Sequence, residues 1–376
     1  MKAIVLQENL ARGLNIVSRA VSPRSTLPVL GNVLLASDEG RLRLSATNLE
    51  LGITCWIGAR IEEEGSTTVP ARTFSDLVNT LPGDQVTLTL DVNTQTLNVR
   101  CGPSNTDIKC IDAQEFPPLP APELDNAIRL NVLDFKEMVH QVAFAASTDE
   151  ARPVLQGVLI QVEGEQITMA AADGFRLSVR KAQLSQPAPQ SINVIVPARA
   201  LNELARIVSD GNNELLMLVP KGRGQVVFRC GDVELVSQLI EGTYPDYQNI
   251  IPRSYQTRVL VSTAAFLKAC KQAEIFARES INEARLNIKP ASDPSLPGEV
   301  EVTAFSEETG KNETVIEASV EGKGLLIAFN VKFLREALEA IKTPNVALEM
   351  NTSQTPGVIR PVGGDDFVHV IMPMRL

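Results

Sequence analysis

The chain has 376 residues, enough for two or three domains at roughly 150 residues each. Hydrophobic residues make up 44% and charged ones 21%, which excludes wholesale disorder; aromatics are only 4%, so the cores rest on Leu, Val, Ile and Ala. The balance of 35 basic and 45 acidic residues gives a net charge of -10, which excludes a uniformly basic nucleic-acid binder but leaves room for a locally basic surface.

The first residues, Met1-Lys2-Ala3-Ile4-Val5-Leu6, form an apolar stretch too short for a signal peptide. No apolar run approaches the ~20 residues of a membrane span. The five cysteines, Cys55, Cys101, Cys110, Cys230 and Cys270, are odd in number and contain no Cys-x-x-Cys pair. Neither a zinc knuckle nor a disulfide framework is expected, and a reducing, cytoplasmic setting with no membrane partner fits. His140 and His369 are the only histidines, which leaves little for histidine-based metal or acid–base chemistry.

In chain order, a short strand leads into a helical period over about 8–20. Period-two alternation follows at Leu42–Ala46, then a second helical stretch at 71–80. Val86–Leu90 and Leu97–Arg100 alternate again, with Asn93-Thr94-Gln95 as the hairpin turn between them. The pattern then repeats. Val69-Pro70-Ala71-Arg72 recurs 127 residues later as Val196-Pro197-Ala198-Arg199, and Pro28-Val29-Leu30 recurs 125 residues later as Pro153-Val154-Leu155. Glu115-Phe116-Pro117 is answered 128 residues on by Thr243-Tyr244-Pro245. A third, more diverged copy carries Phe329-Asn330-Val331-Lys332 where Val-Pro-Ala-Arg would stand. Helical period returns at 134–147, 198–209, 263–278 and 331–342, with apolar stripes such as Leu201, Leu204, Ala205 and Val208. Self-similarity at one spacing defines three domains, 1–125, 126–254 and 255–376, each an antiparallel sheet with two helices on one side. The fold class is α+β.

The six helical segments carry twelve basic and eight acidic residues, so they hold +4 while the rest of the chain holds -14. A polyanion would meet the helices and be repelled elsewhere, since duplex DNA carries about one charge per 1.7 Å of axis. The same lysines and arginines also suit a merely solvated helix surface. Gly222-Arg223-Gly224 and Gly322-Lys323-Gly324 read as hairpin turns, because neither continues into the Gly-Lys-Ser/Thr of a phosphate loop. Asp365-Asp366 reads as a solvated turn, and His140, near Phe135 and Val139, as a packed residue. Cys270 lies in a basic helix with no partner base. No constellation supports catalysis.

Thr26-Leu27-Pro28-Val29-Leu30-Gly31-Asn32, the Val-Pro-Ala-Arg repeats, Ala172-Asp173-Gly174-Phe175-Arg176-Leu177, Tyr244-Pro245-Asp246-Tyr247 and the final Met372-Pro373-Met374-Arg375-Leu376 resemble the bacterial DNA polymerase III beta subunit, the sliding clamp family, in order along the whole chain. The resemblance implies a non-enzymatic, ring-shaped homodimer without a cofactor, with helices inside and sheets outside. Such a ring holds duplex DNA without sequence preference and confers processivity on a polymerase. It implies partners: the replicative polymerase catalytic subunit, an ATP-driven clamp loader, and other polymerases and repair proteins bearing short clamp-binding motifs. It assigns Arg24, Arg72, Arg152 and Arg199 to DNA, although Pro153 and Val154 replace the polar and aromatic groups usual in the 148–154 loop. It assigns a peptide groove to Leu155, Ala172, Gly174, Phe175, Arg176, Leu177, Pro245, Asn249 and Ile250, completed by Asn330, Phe333, Gln354, Pro356, Val370, Ile371, Met372, Pro373, Met374, Arg375 and Leu376. Here Ala172, Phe175 and Asn249 stand where well-known members carry Thr, His and a basic residue, which makes the groove more apolar. The dimer contact would join the 104–111 edge, with Thr106 and Ile108, to Ile275 and Phe276, with charge from Glu307, Glu308 and Glu313. On residues alone, two other classes stay open: a three-repeat interaction scaffold that never encircles DNA, and, more distantly, a cysteine enzyme.

Overall fold

The computed structural model describes residues 1–22, 27–293, 296–364 and 366–375. The chain passes twice through two compact units. One holds residues 1–133 and 199–239, and the other holds 134–198 and 240–376. The middle third of the sequence is therefore divided between them, which periodicity did not foretell.

Each unit is built on one antiparallel 12-stranded sheet. In the first unit, Lys2–Leu6 lies between Gln85–Asp91 and the long strand Leu51–Glu63. The hairpin turn at Asn93–Gln95 follows Gln85–Asp91, and Gln95 takes a positive φ of 47° to close it. In the second unit, Thr257–Ser262 lies between Asn345–Met350 and another long strand, Gly310–Gly322. Gly322 ends that strand in the left-handed region, where a Cβ would stand 1.9 Å from the Gln256 carbonyl oxygen, so only glycine fits the turn.

Among the described residues there are six α-helices: α1 (Gln7–Val17), α2 (Ala71–Thr80), α3 (Val132–Val142), α4 (Ala198–Ile207), α5 (Thr263–Ala277) and α6 (Val331–Glu339). Both ends of α1 recur in α3 at the 125-residue spacing. Each of the two breaks into a single 3-10 turn, Ser18–Ala20 and Ala143–Ala145, where an unbroken helix was expected. In α1 the buried stripe is Leu10, Gly13, Leu14 and Val17; in α6 it is Val331, Leu334, Ala337 and Leu338. The α5 stripe is mostly small (Ala269, Cys270, Ala273, Ala277), so this helix lies close upon its sheet beside α6. Caps fix two of the starts: Ser262 accepts from the Ala265 amide of α5, and Asn330 accepts from the Lys332 amide of α6.

Alternation along the strands sorts side chains between two layers. In Phe367–Ile371, Phe367 and Ile371 join the core beneath α5 and α6, while Val368 and Val370 face a separate cluster with Leu177, Val179, Ala172 and Tyr247.

Candidate functional site

Three arrangements deserve a functional reading: an apolar groove in the second unit, cations on the helices, and two open strand edges.

The groove is organised by a turn. Asp173 accepts from the amides of Phe175 (2.9 Å) and Arg176 (3.0 Å), and Gly174 between them has φ +95°, a conformation that favours glycine. The turn thrusts Phe175 outward to 60% exposure, and the Phe175 carbonyl accepts from the Met372 amide at 2.8 Å. Met372, itself 40% exposed, and half-buried Met374 lie past the end of the last strand rather than in its core, and the Met374 amide donates to Ala328 at 2.8 Å. Opposite, the 3-10 turn Pro153–Gln156 presents half-buried Val154 and Leu155. Ala172, Leu177 and Val370 form the buried floor. Tyr244 is packed against them, and its hydroxyl accepts from the Ala172 amide; burial pushes that phenol up to about 12. Pro245 and Ile250 are exposed, and the Asn249 amide is committed to Asp246 at 2.6 Å. Gln354 is exposed on the turn preceding half-buried Pro356; Pro373 lies between the methionines and Arg375 follows them.

Two expected members lie elsewhere. Ile371 points to the helix layer, because it alternates with Val370. Arg176 also turns that way, and its side chain is only 8% exposed. Its guanidinium donates to Asp173 at 3.0 Å, to Glu336, and to the Phe144 carbonyl at 2.8 Å. It also stacks over Phe333 (4.2 Å) and Phe144 (5.3 Å). Phe333 is thus spent on Arg176 and Asn330 on its helix cap. Behind Arg176, His369 is fully buried, stacked on Phe144 and 2.6 Å from the Ser178 hydroxyl; burial, helped by the Arg176 charge, lowers its pKa to about 3. Leu376 lies outside the described residues.

The helix cations are less free than their count suggests. Glu203 holds both Arg19 and Arg206, Glu339 holds Lys271, and Arg335 is ringed by Glu274, Glu336 and Glu339. By contrast, Arg72 is 96% exposed with Asp76 no nearer than 3.9 Å, and Arg199 is exposed without an ion pair among the described residues. Both are second residues of their helices, α2 and α4. The equivalent residue of α6 is Lys332, also exposed and, among the described residues, without an ion pair. A cation in a first turn opposes the helix dipole, so three at one repeat position are not explained by helix stability. The family resemblance assigns arginines alone and so omits Lys332, although the repeat spacing marks it. Arg152 sits instead beside the groove turn. It is bound to Asp149 at 3.1 Å and directed at Gly174, where a Cβ would stand 2.9 Å from its Nη1. Arg24 lies outside the described residues.

The strand edges follow from the repeats. The first half of Leu51–Glu63 pairs with Val233–Gln238, in register Leu51↔Ser237 to Cys55↔Val233. Its equivalent Arg176–Gln183 pairs with Phe367–Ile371, in register Arg176↔Ile371 to Arg180↔Phe367. The third long strand, Gly310–Gly322, pairs with Thr257–Leu260 only over residues 319–322. Over 310–318 it pairs on one side alone among the described residues. The third partner strand, Ser104–Lys109, lies at the end of its sheet. Thr106 is half-buried and Ile108 buried. Beside the open half of 310–318, Thr314 donates to Gln272 of α5, and one turn further along that helix Ile275 is 53% exposed while Phe276 packs on the core.

Elsewhere, Cys270 is fully buried, and burial together with Glu274 pushes its thiol upward, away from nucleophilic use. His140 is exposed rather than packed. Asp366 pairs with Arg180, and Asp365 lies outside the described residues. No helix among the described residues is long and apolar enough to cross a membrane.

Family models for the DNA polymerase III beta subunit match along the chain: the N-terminal domain over residues 1–120, the central domain over 129–246 and the C-terminal domain over 248–375. Curated relatives described as beta sliding clamp include one from Synechococcus elongatus, 33% identical with both chains covered in full, and one from Bacillus subtilis, likewise 33% identical over both full lengths. Among solved structures, the DNA polymerase sliding clamp of Bacillus subtilis superposes with a TM-score of 0.94 at 30% identity, covering 100% of this chain and 99% of that one. A Pseudomonas aeruginosa sliding clamp bound to griselimycin gives 0.91 at 27% identity, with both chains fully covered.

Proposed function

This chain belongs to the DNA polymerase III beta subunit family, the beta sliding clamps, and from that premise we propose that two copies close into a ring that slides on duplex DNA. The observation that carries this reading is the unmade third junction. Two long strands each grip a partner strand in the same register, while the third long strand and the third partner strand both keep an open edge. Each edge is left open within its own unit; a second copy supplies the pair, and a head-to-tail contact repeated by rotation closes a two-member ring. Carrying over the register of the two formed junctions sets Lys311 opposite Asp107 and Asn312 opposite Thr106, beside Ile108, with Ile275 and Phe276 next to the seam. Each subunit would then contribute three domains, divided near residues 125 and 254.

Processivity is tethering by topology. Base-edge contacts would stall sliding, whereas long side chains exchange freely between phosphates. Arg72, Arg199 and Lys332 suit this because each stands exposed at one repeat position, and Arg24 is assigned with them by family resemblance. The groove of Phe175, Leu155, Leu177, Pro245, Ile250, Met372 and Met374 would take short apolar motifs from the replicative polymerase, the loader and repair proteins. Its methionines adapt to varied partners. Arg176 would position the groove turn rather than touch the peptide, and the protein would act by binding alone, opened by a loader that hydrolyses ATP. A cytoplasmic location follows from that role.

The test is solution mass at micromolar concentration. A value near twice the 40.8 kDa chain mass is expected. A Lys311→Glu variant should weaken the dimer, and Asp107→Lys in the same chain should restore it. A monomer at that concentration, or no rescue, would refute the proposed seam.

A further inference from the structure

The first unit contains a cavity of about 440 Å³ that the clamp role leaves unused. One helical face turns into it: Arg12, Asn15 and Ile16 of α1, then Arg19 of the following 3-10 turn, at the i, i+3, i+4, i+7 spacing that ordinarily carries a packed apolar stripe. Arg206 and Asn212 close the far side, and Trp56 with buried Cys55 and Cys230 forms the floor.

Its charge is fixed by the bonding. Glu203 is shared between Arg19 (2.9 Å) and Arg206 (3.0 Å), one carboxylate for two guanidiniums, which holds both in place and leaves N–H groups unspent. Among the described residues, Arg12 has no carboxylate partner. The lining acid Asp232 is engaged by Arg41 at 2.7 Å. Two positive charges are left without compensation in a protein whose net charge is -10.

The fold does not require this space. At the equivalent positions 125 residues on, in the other unit, the lining is replaced by contacts. Glu137 stands for Arg12 and reaches Lys342 at 3.5 Å; Gln141 stands for Ile16 and donates to the Ala340 carbonyl at 3.3 Å; Phe144 stands for Arg19 and stacks on His369. At three of the four positions the same helical face is engaged in contacts in one repeat and cationic or open in the other. The floor is not a reactive centre, since burial pushes the Cys55 thiol up to about 11. Small-molecule sites occupy about 300–1,000 Å³, and clustered guanidiniums are the usual reading heads for phosphate. We propose that this cavity binds a phosphate-bearing small molecule of nucleotide size, with Arg12, Arg19 and Arg206 gripping the phosphates.

Trp56 is the single tryptophan of the chain and lines the cavity, so its emission reports occupancy directly. The intact protein is titrated with pyrophosphate and with ATP, at ionic strength matched by sodium chloride, while Trp56 emission is followed. Saturable changes are expected, with the apparent Kd raised about tenfold or more in Arg12→Gln and in Arg206→Gln, as the loss of one charge-assisted contact gives. Thermal melts of the variants without ligand verify folding, and Lys181→Gln, at an exposed lysine of the other unit, should leave the titration unchanged. No saturable change, or one equal in sodium chloride or untouched by both arginine variants, overturns the proposal. A response to a duplex oligonucleotide alone, with none to either small anion, also overturns it, because the cavity would then belong to the DNA surface.

Discussion

Replacing Arg176 by alanine separates positioning from contact at the groove. The side chain is nearly buried and answers two carboxylates, Asp173 and Glu336, themselves at 14% and 21% exposure. Removing the cation leaves both without it and strips the Phe144 carbonyl of its donor. Breaking a buried pair from one side costs about 3–5 kcal/mol. Lost stacking on Phe144 and Phe333 adds about 1 kcal/mol, and since these terms share one group, about 4 kcal/mol is the working figure. At about 2–4 °C per kcal/mol, the melting temperature should fall by roughly 10 °C by calorimetry. A labelled apolar peptide followed by fluorescence polarisation well below that transition should bind more weakly too, because the turn carrying Phe175 loses its anchor. Arg176→Lys, which keeps the charge but not the fork, should fall between. Lost peptide binding with an unchanged melting temperature would show that the guanidinium touches the ligand, and the positioning argument would fail.

Other consequences are equally concrete. Deleting Met372 through Leu376 removes the Met372 and Met374 backbone bonds and two apolar walls, so peptide binding should vanish by the same polarisation assay while solution mass stays dimeric. Gly357→Ala drives a methyl to about 2.5 Å from the Phe329 ring and should cost about 1–3 kcal/mol in urea melts. His369, with its folded pKa lowered to about 3 from an ordinary 6.5, favours the native state fully above pH 6.5. That advantage drains as pH falls from 6.5 towards 3, at about 1.4 kcal/mol per unit. A His369→Leu variant should therefore start less stable at pH 7 but lose stability less steeply with acid, a difference read from melts across that window. Mutating Arg72, Arg199 and Lys332 together to glutamine should lower the salt dependence of DNA binding, with a slope in log salt reduced by up to about 0.9 for each cation removed.

Much of this architecture was legible because repetition amplifies weak signals. The starts of α2 and α4 follow Val69-Pro70 and Val196-Pro197, and both α1 and α3 obey the 125-residue spacing, so each helix supports the reading of its counterpart. Edge strand 104–111 was also legible, since alternating polar residues there lack a covering element. Three features were hidden for physical reasons. Which strands of the middle repeat join which sheet depends on pairing far along the chain, so the division into two units left no local trace. The face of Ile371 and the inward turn of Arg176 depend on strand register, which a one-residue shift reverses. Net helix charge overstated the available cation, because ion pairs such as Lys271 to Glu339 bridge helices that lie far apart in sequence.

On the proposed function, retention on DNA comes from a closed circuit rather than from bond strength. The protein, loaded by its ATP-driven loader onto a nicked circular duplex, is washed at high salt and the circle is then cut once. Retention through the wash followed by loss on linearisation is the predicted result; release by salt alone, or survival of the complex on the linear duplex, would contradict it.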